Sequence, residues 1–281
     1  MNSEEKFTYL SCVCSKSLTE GYSTSFSLAI RLLHKNLRRH IHAIYGFVRL
    51  ADEIVDTFHQ HDKRSLLKNL QTQTEEAIRE KISLNPLLQS FQYTVNYYNI
   101  PEELISSFLK SMEMDLDKSS YNSNEELSEY IYGSAEVVGL MCLKVFCEGD
   151  DTLYQSLREY ACKLGAAFQK INFLRDLEDD THQLNRQYFP KVDVLHFDEK
   201  TKKILENDIE ADFKTALPGI LKLPGKTRFG VYLAYRYYLS LFYKIRKNPP
   251  SFITKQRVRV PNLQKLVILF DAGLRNQFGY W

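Results

Sequence analysis

Glycine and proline are scarce in this chain, 11 and 8 among 281 residues, and they sit mainly at junctions. No alternating strand run of convincing length and no internal repeat appears. Gly-x-Gly-x-x-Gly and Gly-x-x-x-x-Gly-Lys-Ser/Thr are both absent, which argues against a Rossmann dinucleotide fold and a P-loop nucleotidase. Net charge is only +2, so no nucleic-acid partner is implied. No stretch of 18 apolar residues exists, so no transmembrane helix is expected. Met1 to Lys6 is polar and acidic, unlike a signal peptide. The five cysteines, Cys12, Cys14, Cys142, Cys147 and Cys162, lack metal-type Cys-x-x-Cys spacing. Their odd count fits reduced thiols in a cytoplasmic protein, with Cys142 and Cys162 read as core. His59-Gln60-His61 follows a helix end without a matching His or Cys cluster and reads as loop.

What is present is helical periodicity. It predicts an all-α chain of one domain, 1–281, with helices near 4–20, 37–57, 62–81, 85–98, 101–116, 124–147, 151–180, 202–221, 226–247 and 262–278. Pro86 and Pro101 suit first-turn positions. Ser123 or Asn124, and Asp150 or Asp151, suit helix caps. Pro249-Pro250 ends a helix. Gly133 and Gly139 interrupt the helix over 124–147, and a mid-helix glycine costs about 1 kcal/mol relative to alanine. Two of them point to a kink or a close approach, by a ligand or by another helix. Hydrophobic content of 44%, with 18 Tyr and 17 Phe, supports a large core or an apolar cavity.

Two acidic pairs then stand out, Asp52-x-x-x-Asp56 and Asp176-x-x-x-Asp180. Spacing of four stacks both carboxylates of a pair on one helix face, where like charges repel. The first pair lies in an apolar context, Ile44 to Val55, with little polar surface to spare. A solvated helix face is the bland alternative, and two matched pairs weigh against it. Two such pairs on facing helices would form an acidic cleft suited to Mg²⁺ ions that carry a diphosphate.

The stripes around the pairs extend this picture. His42, Tyr45, Arg49, Asp52 and Asp56 share one face, as do Gln169, Asn172, Asp176 and Asp180, with Arg175 beside them. Guanidinium groups and an amide add phosphate clamps to the carboxylates. Farther along, Gly165, Ala166 and Ala167 turn the stripe small and apolar, predicting a polar mouth with a greasy tunnel behind it. Such a site suits departure of a diphosphate and shelter of an allylic cation. Tyr22, Phe26, Tyr45 and Tyr238 are candidate aromatic faces for that cation, although each taken singly is more often core. Basic residues gather late, at Lys244, Arg246, Lys247, Lys255, Arg257 and Arg259. That cluster suits anionic lipid, phosphate or plain solvent, and the sequence leaves the three open.

From Tyr22 to Arg259 the chain resembles the squalene and phytoene synthase family, the head-to-head prenyl diphosphate synthases. The resemblance is carried by Ser23-Thr24-Ser25-Phe26, by Tyr45 through Asp56, and by Val137-Val138-Gly139-Leu140. Gln169 through Asp180 and Arg186-Gln187-Tyr188-Phe189-Pro190 complete it. It implies an all-α isoprenoid-synthase bundle around a central apolar cavity with two facing Asp-rich helices. It further implies two bound prenyl diphosphates, three Mg²⁺ ions that Mn²⁺ can replace, and a two-step reaction through a cyclopropyl intermediate. Carried over, Asp52, Asp56, Asp176 and Asp180 are metal-binding and catalytic, with Asn172 joining the second cluster. Tyr45 and Arg49 act at the reaction centre. Ser23, Ser25, Phe26, Val137, Gly139, Gln169 and Arg175 bind substrate, and Tyr238 and Arg259 match late substrate positions. Arg49-Leu50-Ala51 departs from the family's usual wording, yet Arg49 keeps the site face.

Compact length and the wording of the first motif are closest to bacterial carotenoid enzymes. The implied reaction is phytoene synthesis from geranylgeranyl diphosphate, without NADPH. Dehydrosqualene or squalene synthesis from farnesyl diphosphate is the alternative, and a non-catalytic assembly factor is a third reading that the intact Asp pairs disfavour. Head-to-tail and cyclising relatives typically carry Asp-Asp-x-x-Asp, which the first motif lacks. A cytoplasmic enzyme, in peripheral contact with the inner membrane face when it releases product, fits these readings. Helix arithmetic puts His42 roughly 15 Å from the mouth and Ile30 at similar depth, where a prenyl tail should end.

Overall fold

The computed structural model describes residues 2–178, 186–190 and 197–278. Among these the chain is all-α: α1 Ser3–Tyr22, α2 Thr24–Leu32, α3 Lys35–Asp56, α4 Lys63–Glu80, α5 Pro86–Tyr98, α6 Glu102–Asp117 and α7 Asn124–Ile131. A π-helical turn, Tyr132–Glu136, leads into α8 Val137–Phe146. Then follow α9 Asp151–Arg175, α10 Glu199–Lys222, α11 Gly225–Lys247, α12 Pro250–Ile253 and α13 Asn262–Phe278. The one β-type contact among the described residues is an isolated parallel bridge between Ser120 and Gln187.

The caps are local chemistry. Asn2 and Glu5 close a reciprocal capping box at α1, each side chain accepting from the other's backbone N–H at 2.8 Å. Ser123 caps α7 and Asp150 caps α9, accepting from Glu126 N at 3.2 Å and Leu153 N at 2.9 Å.

Three departures from the sequence reading shape the site. First, residues 24–32 are helical, where periodicity gave no helix. Ser23 sits in extended backbone between α1 and α2, and its hydroxyl accepts from Phe26 N at 3.2 Å. A nine-residue helix that starts on one serine leaves too short a periodic signal to read. Second, the helix expected over 124–147 is broken by the π-turn. There a Cβ on Gly133 would lie 2.7 Å from the Ser107 carbonyl, and one on Gly139 would lie 3.1 Å from the Ala161 carbonyl. The glycines serve helix packing, against α6 and α9, and Gly139 also faces the central cavity. Third, α9 does not run unbroken to 180. It ends at Arg175, and a bend follows at Asp176.

Two apolar clusters fill the interior. One gathers α3 to α6 and α8 around Phe47, which stacks on Phe91 at 4.0 Å, and the other gathers α7, α9, α10 and α11 around Phe213 and Phe242. The cysteines are all free thiols. No described helix is long and apolar enough to cross a membrane.

Candidate active site

Between the two clusters lies a cavity of about 580 Å³. Helices α2, α3, α8, α9, α10 and α11 wall it. Its far part is apolar, with Ile30, Leu33, Ile41, Ile44, Phe146 and Leu223 among the lining. Its mouth is charged, with Asp52, Asp56 and Arg49 of α3 facing Gln169, Asn172, Arg175 and Asp176 of α9. Asp52 and Asp56 of the first acidic motif and Asp176 of the second share one opening.

On the α3 side the carboxylates crowd. Burial, then the neighbouring Asp56 charge, raise the Asp52 pKa to about 7, with Asp115 adding to the rise and Arg49 opposing it. Arg49 is ion-paired with Glu53 one turn on, and its guanidinium carbon lies 4.1 Å over the Tyr22 ring. Its Nε is buried without a hydrogen-bond partner. Such an orphan donor, aimed at an acidic mouth, is suited to an anionic ligand. Tyr45, lower on the same face, is held protonated. Burial pushes its pKa to about 12, although the Ser23 hydroxyl bonds to it.

Arg186 completes this side. The bridge to Ser120 and a bond from Gln187 N to the Ser119 carbonyl at 2.7 Å bring the 186–190 segment under α6. Tyr188 stacks on Phe173 at 3.9 Å and fastens it there. Arg186 Nη1 then donates to Asp56 Oδ1 at 2.8 Å and Nη2 to the Asp115 carbonyl at 3.2 Å. The side chain is only 8% exposed. Burial works against its charge, but Asp115, Tyr188 and Asp56 outweigh it and hold the guanidinium charged. Tyr130 donates to Asp115 Oδ2 at 2.9 Å from the opposite side.

The α9 side is differently built. Asp176, the residue after the last helical one, is clasped by two arginines: Arg175 Nε at 2.9 Å and Arg257 Nε at 2.8 Å. Behind it, Tyr238 stacks on Phe168 at 3.8 Å and donates to Asn172 Oδ1 at 3.4 Å. Burial raises the Tyr238 pKa, so the hydroxyl stays a donor.

The remaining sequence candidates divide. Ser23, Phe26 and Gly139 line the cavity. Ser25 does not, and Val137 is fully buried while its neighbour Val138 takes the cavity position. Arg259 is exposed, and its carbonyl accepts from Lys244; Arg257, two residues earlier, is the late arginine at the mouth. His42 lies off the tunnel. It is 4% exposed and lines a separate groove between α1, α3 and α5, because it sits about 60° around α3 from Tyr45. Ile41, Ile44 and Val48 are the α3 residues on the tunnel side. Cys142, read as core, also lines the cavity. Asp180 lies outside the described residues. The sequence alone marks no role for Asp115 or Arg186. Both act across 59 or more residues of separation, and only the Arg186-x-Tyr-Phe-Pro wording offered a signal.

Comparison with known proteins agrees with this geometry. The squalene/phytoene synthase family model matches residues 19–264. The chain belongs to that family. It is 25% identical to a 15-cis-phytoene synthase of a Paracoccus species over 92% of this chain and 89% of that one. It is 28% identical to a phytoene synthase of Arthrospira platensis over 92% and 91%. A 4,4'-diapophytoene synthase of Staphylococcus haemolyticus is 27% identical over 74% and 70%. In fold the chain is similar to a crystallised dehydrosqualene synthase, with a TM-score of 0.85 at 21% identity, over 98% of this chain and all of that one. The squalene synthase of Alicyclobacillus acidocaldarius follows with 0.75, at 20% identity over 86% and 96%. The two solved structures share the all-α architecture of this chain.

Proposed function

We propose that this family member condenses two molecules of geranylgeranyl diphosphate head to head, through a cyclopropyl intermediate, to phytoene, releasing two diphosphates. The observation that carries the reading is the joint one of mouth and tunnel. Asp52, Asp56 and Asp176, with four arginines nearby, open on a largely apolar cavity. A diphosphate leaving group needs the first, and a prenyl tail and its allylic cation need the second.

Magnesium fits the residues present. Among the described residues no group of three or more His, Cys, Asp or Glu side chains is arranged to hold a metal by itself. Mg²⁺ typically binds through one or two carboxylates, with substrate phosphates and waters filling the remaining positions, so paired aspartates are the donor set it takes. Asp52 and Asp56 would hold it on one side, Asp176, Asn172 and Asp180 on the other. The cost recorded by the Asp52 pKa of about 7 is the kind a divalent cation relieves. When bound, the metal supplies Lewis acidity to the departing diphosphate.

The chain's own groups do the rest. Arg49, with its unpartnered Nε, binds diphosphate oxygen. Tyr45 and Tyr238, kept protonated by burial, orient the leaving group without carrying negative charge. Phe26 and Phe168 wall the cationic carbon in a space that excludes water. Loss of a proton then ends the reaction, so no reductant is required for phytoene.

Support for the C20 substrate comes from the phytoene synthases among the relatives; the diapophytoene synthase makes farnesyl diphosphate the second reading. The test is product mass from purified protein given Mg²⁺ and either farnesyl or geranylgeranyl diphosphate, with and without NADPH. A C40 product independent of NADPH is expected. A reduced C30 product formed only with NADPH would overturn the reading. A C40 hydrocarbon also needs an apolar destination, so contact with a membrane at release belongs to the proposal.

A further inference from the structure

The most apolar exposed surface in the described residues belongs to α13. The helix rests on α11 by one face. Ile268 and Ala272 are buried there, Gln264 donates to Ser240 at 2.9 Å, Tyr237 donates to the Lys265 carbonyl at 3.2 Å, and Arg236 pairs with Asp271 at 2.8 Å. These contacts fix the rotation of the helix. The opposite face carries Leu263, Leu266, Val267, Phe270 and Leu274, all exposed, with Leu263 at 75% and Phe270 at 71%. At 100° per residue the five fall within an arc of about 100°. Large aliphatic and aromatic side chains at i, i+3, i+4 and i+7 on a solvent face are costly unless something covers them.

The charge nearby identifies the cover. Between Ser240 and Arg275 the sequence holds eight Lys and Arg residues against a single acid, Asp271, and of the eight Arg246 and Arg257 pair with Glu210 and Asp176 from elsewhere in the chain. Asp271 is already paired with Arg236 and Arg275. Lys247, Lys255 and Arg259 are exposed, and among the described residues no acid pairs with them. Lys244 donates to the Arg259 carbonyl at 3.2 Å, which ties this basic segment beside the start of α13. A second copy of the chain related by a two-fold axis would set this basic surface against itself. An anionic bilayer attracts the bases and accepts the apolar stripe at once.

We infer that α13 with the 255–259 segment is a docking surface for an anionic lipid membrane. The helix would lie in the headgroup plane with its stripe turned into the acyl boundary. Its position is apt. Lys265 Nζ donates to Thr24 Oγ1 at 3.1 Å, and α11 and α2, which α13 bridges, form one wall of the cavity. The purpose of the surface rests on the proposed hydrocarbon product, but its existence does not, so the test uses no substrate.

The experiment is co-sedimentation of the whole protein with vesicles of phosphatidylcholine alone or mixed with phosphatidylglycerol, at low and high salt. The wild type should bind the anionic vesicles, less so at high salt, and bind pure phosphatidylcholine weakly. Leu266→Asp with Phe270→Asp should lower binding about tenfold or more while thermal melting stays as in the wild type. Leu84→Asp, at a 91% exposed apolar residue elsewhere, should leave binding unchanged. Lys247→Glu with Lys255→Glu should weaken binding to the anionic vesicles alone. Equal binding by the wild type and the α13 double variant would overturn the inference. So would a wild type that ignores vesicles and sediments as a dimer that the double variant dissociates.

Discussion

The two sides of the mouth hold the same kind of group in unlike surroundings. On α3, Asp52 and Asp56 sit one turn apart in a regular helix, with Asp115 near, and the Asp52 pKa climbs to about 7. On α9, Asp176 sits at the helix end and two guanidiniums neutralise it. A carboxylate at a helix C-terminus is opposed by the macrodipole, so it needs those cations to be held there. The first side is therefore short of positive charge, and the second has it built in. This assigns the α3 side the stronger call for a cation, and the α9 side the arginines that can turn toward a diphosphate.

The largest effects should come from removing one carboxylate on each side. Asp52→Asn should lower turnover by about 10²–10³ or more and hold or raise the melting temperature, since a repelling charge is lost. Asp176→Asn should also lose turnover, yet lower the melting temperature, since Arg175 and Arg257 lose their shared partner. Steady-state kinetics and thermal melts on both variants check the contrast; equal shifts in melting temperature would erase it.

Arg186 offers the next largest effect. Arg186→Ala leaves Asp56 and Asp115 without a buried counter-charge. The expected cost is about 2–3 kcal/mol, below that of a fully buried pair because the Asp56 side chain is 40% exposed. Urea unfolding measures it. An unchanged midpoint would mean that the first cluster is not held by this guanidinium.

Tunnel depth is subtler. Ile30→Phe fills the far part of the cavity and should shift the ratio of C15 to C20 use severalfold toward the shorter substrate. His42→Trp, outside the tunnel, should leave the ratio alone. Competition between the two diphosphates decides, and a shift from His42→Trp instead would reverse the structural assignment.

The effect with least bearing on turnover lies away from the site. Burial, with Arg39 beside it, depresses the His40 pKa to about 3, and burial depresses that of His42 to about 4. Arg39 Nε donates to His40 Nε2 at 3.1 Å, and Nδ1 meets Thr94 Oγ1 at 3.0 Å, an arrangement for the neutral ring. Below the unfolded pKa of about 6.5 the unfolded chain binds more protons than the native one. Their stabilising contribution is thus whole above that pH and declines as pH falls toward 4, by up to about 1.4 kcal/mol per pH unit for each ring. Urea midpoints from pH 7 to 4.5 should fall less in His40→Gln than in the wild type.

How much of this could be read beforehand follows from distance along the chain. The α3 stripe from Tyr45 to Asp56 was legible because one regular helix carries it. That Asp176 would share an opening with Asp52 and Asp56 was legible because both segments repeat the same pattern of residues, while Asp180 lies outside the described residues. The α9 ending was not, since four-residue spacing alone does not reveal that Asp176 caps rather than continues the helix. Arg186 and Asp115 were not, because a bridge at Ser120 and a stack on Phe173 bring them in. His42 failed by a third of a turn or less: a stripe drawn at spacings of three and four spans enough arc to include a residue facing the next groove.

The two clusters should act as one metal and diphosphate mouth. Its most direct test is the melting temperature of the wild type with Mg²⁺ and inorganic diphosphate, alone and together. Ligands that bind only the folded chain raise its stability. The rise with both together should exceed the sum of the separate rises, and should be lost in Asp52→Asn. An Asp52→Asn protein that gains as much as the wild type, or a wild type indifferent to the pair of ligands, would contradict it.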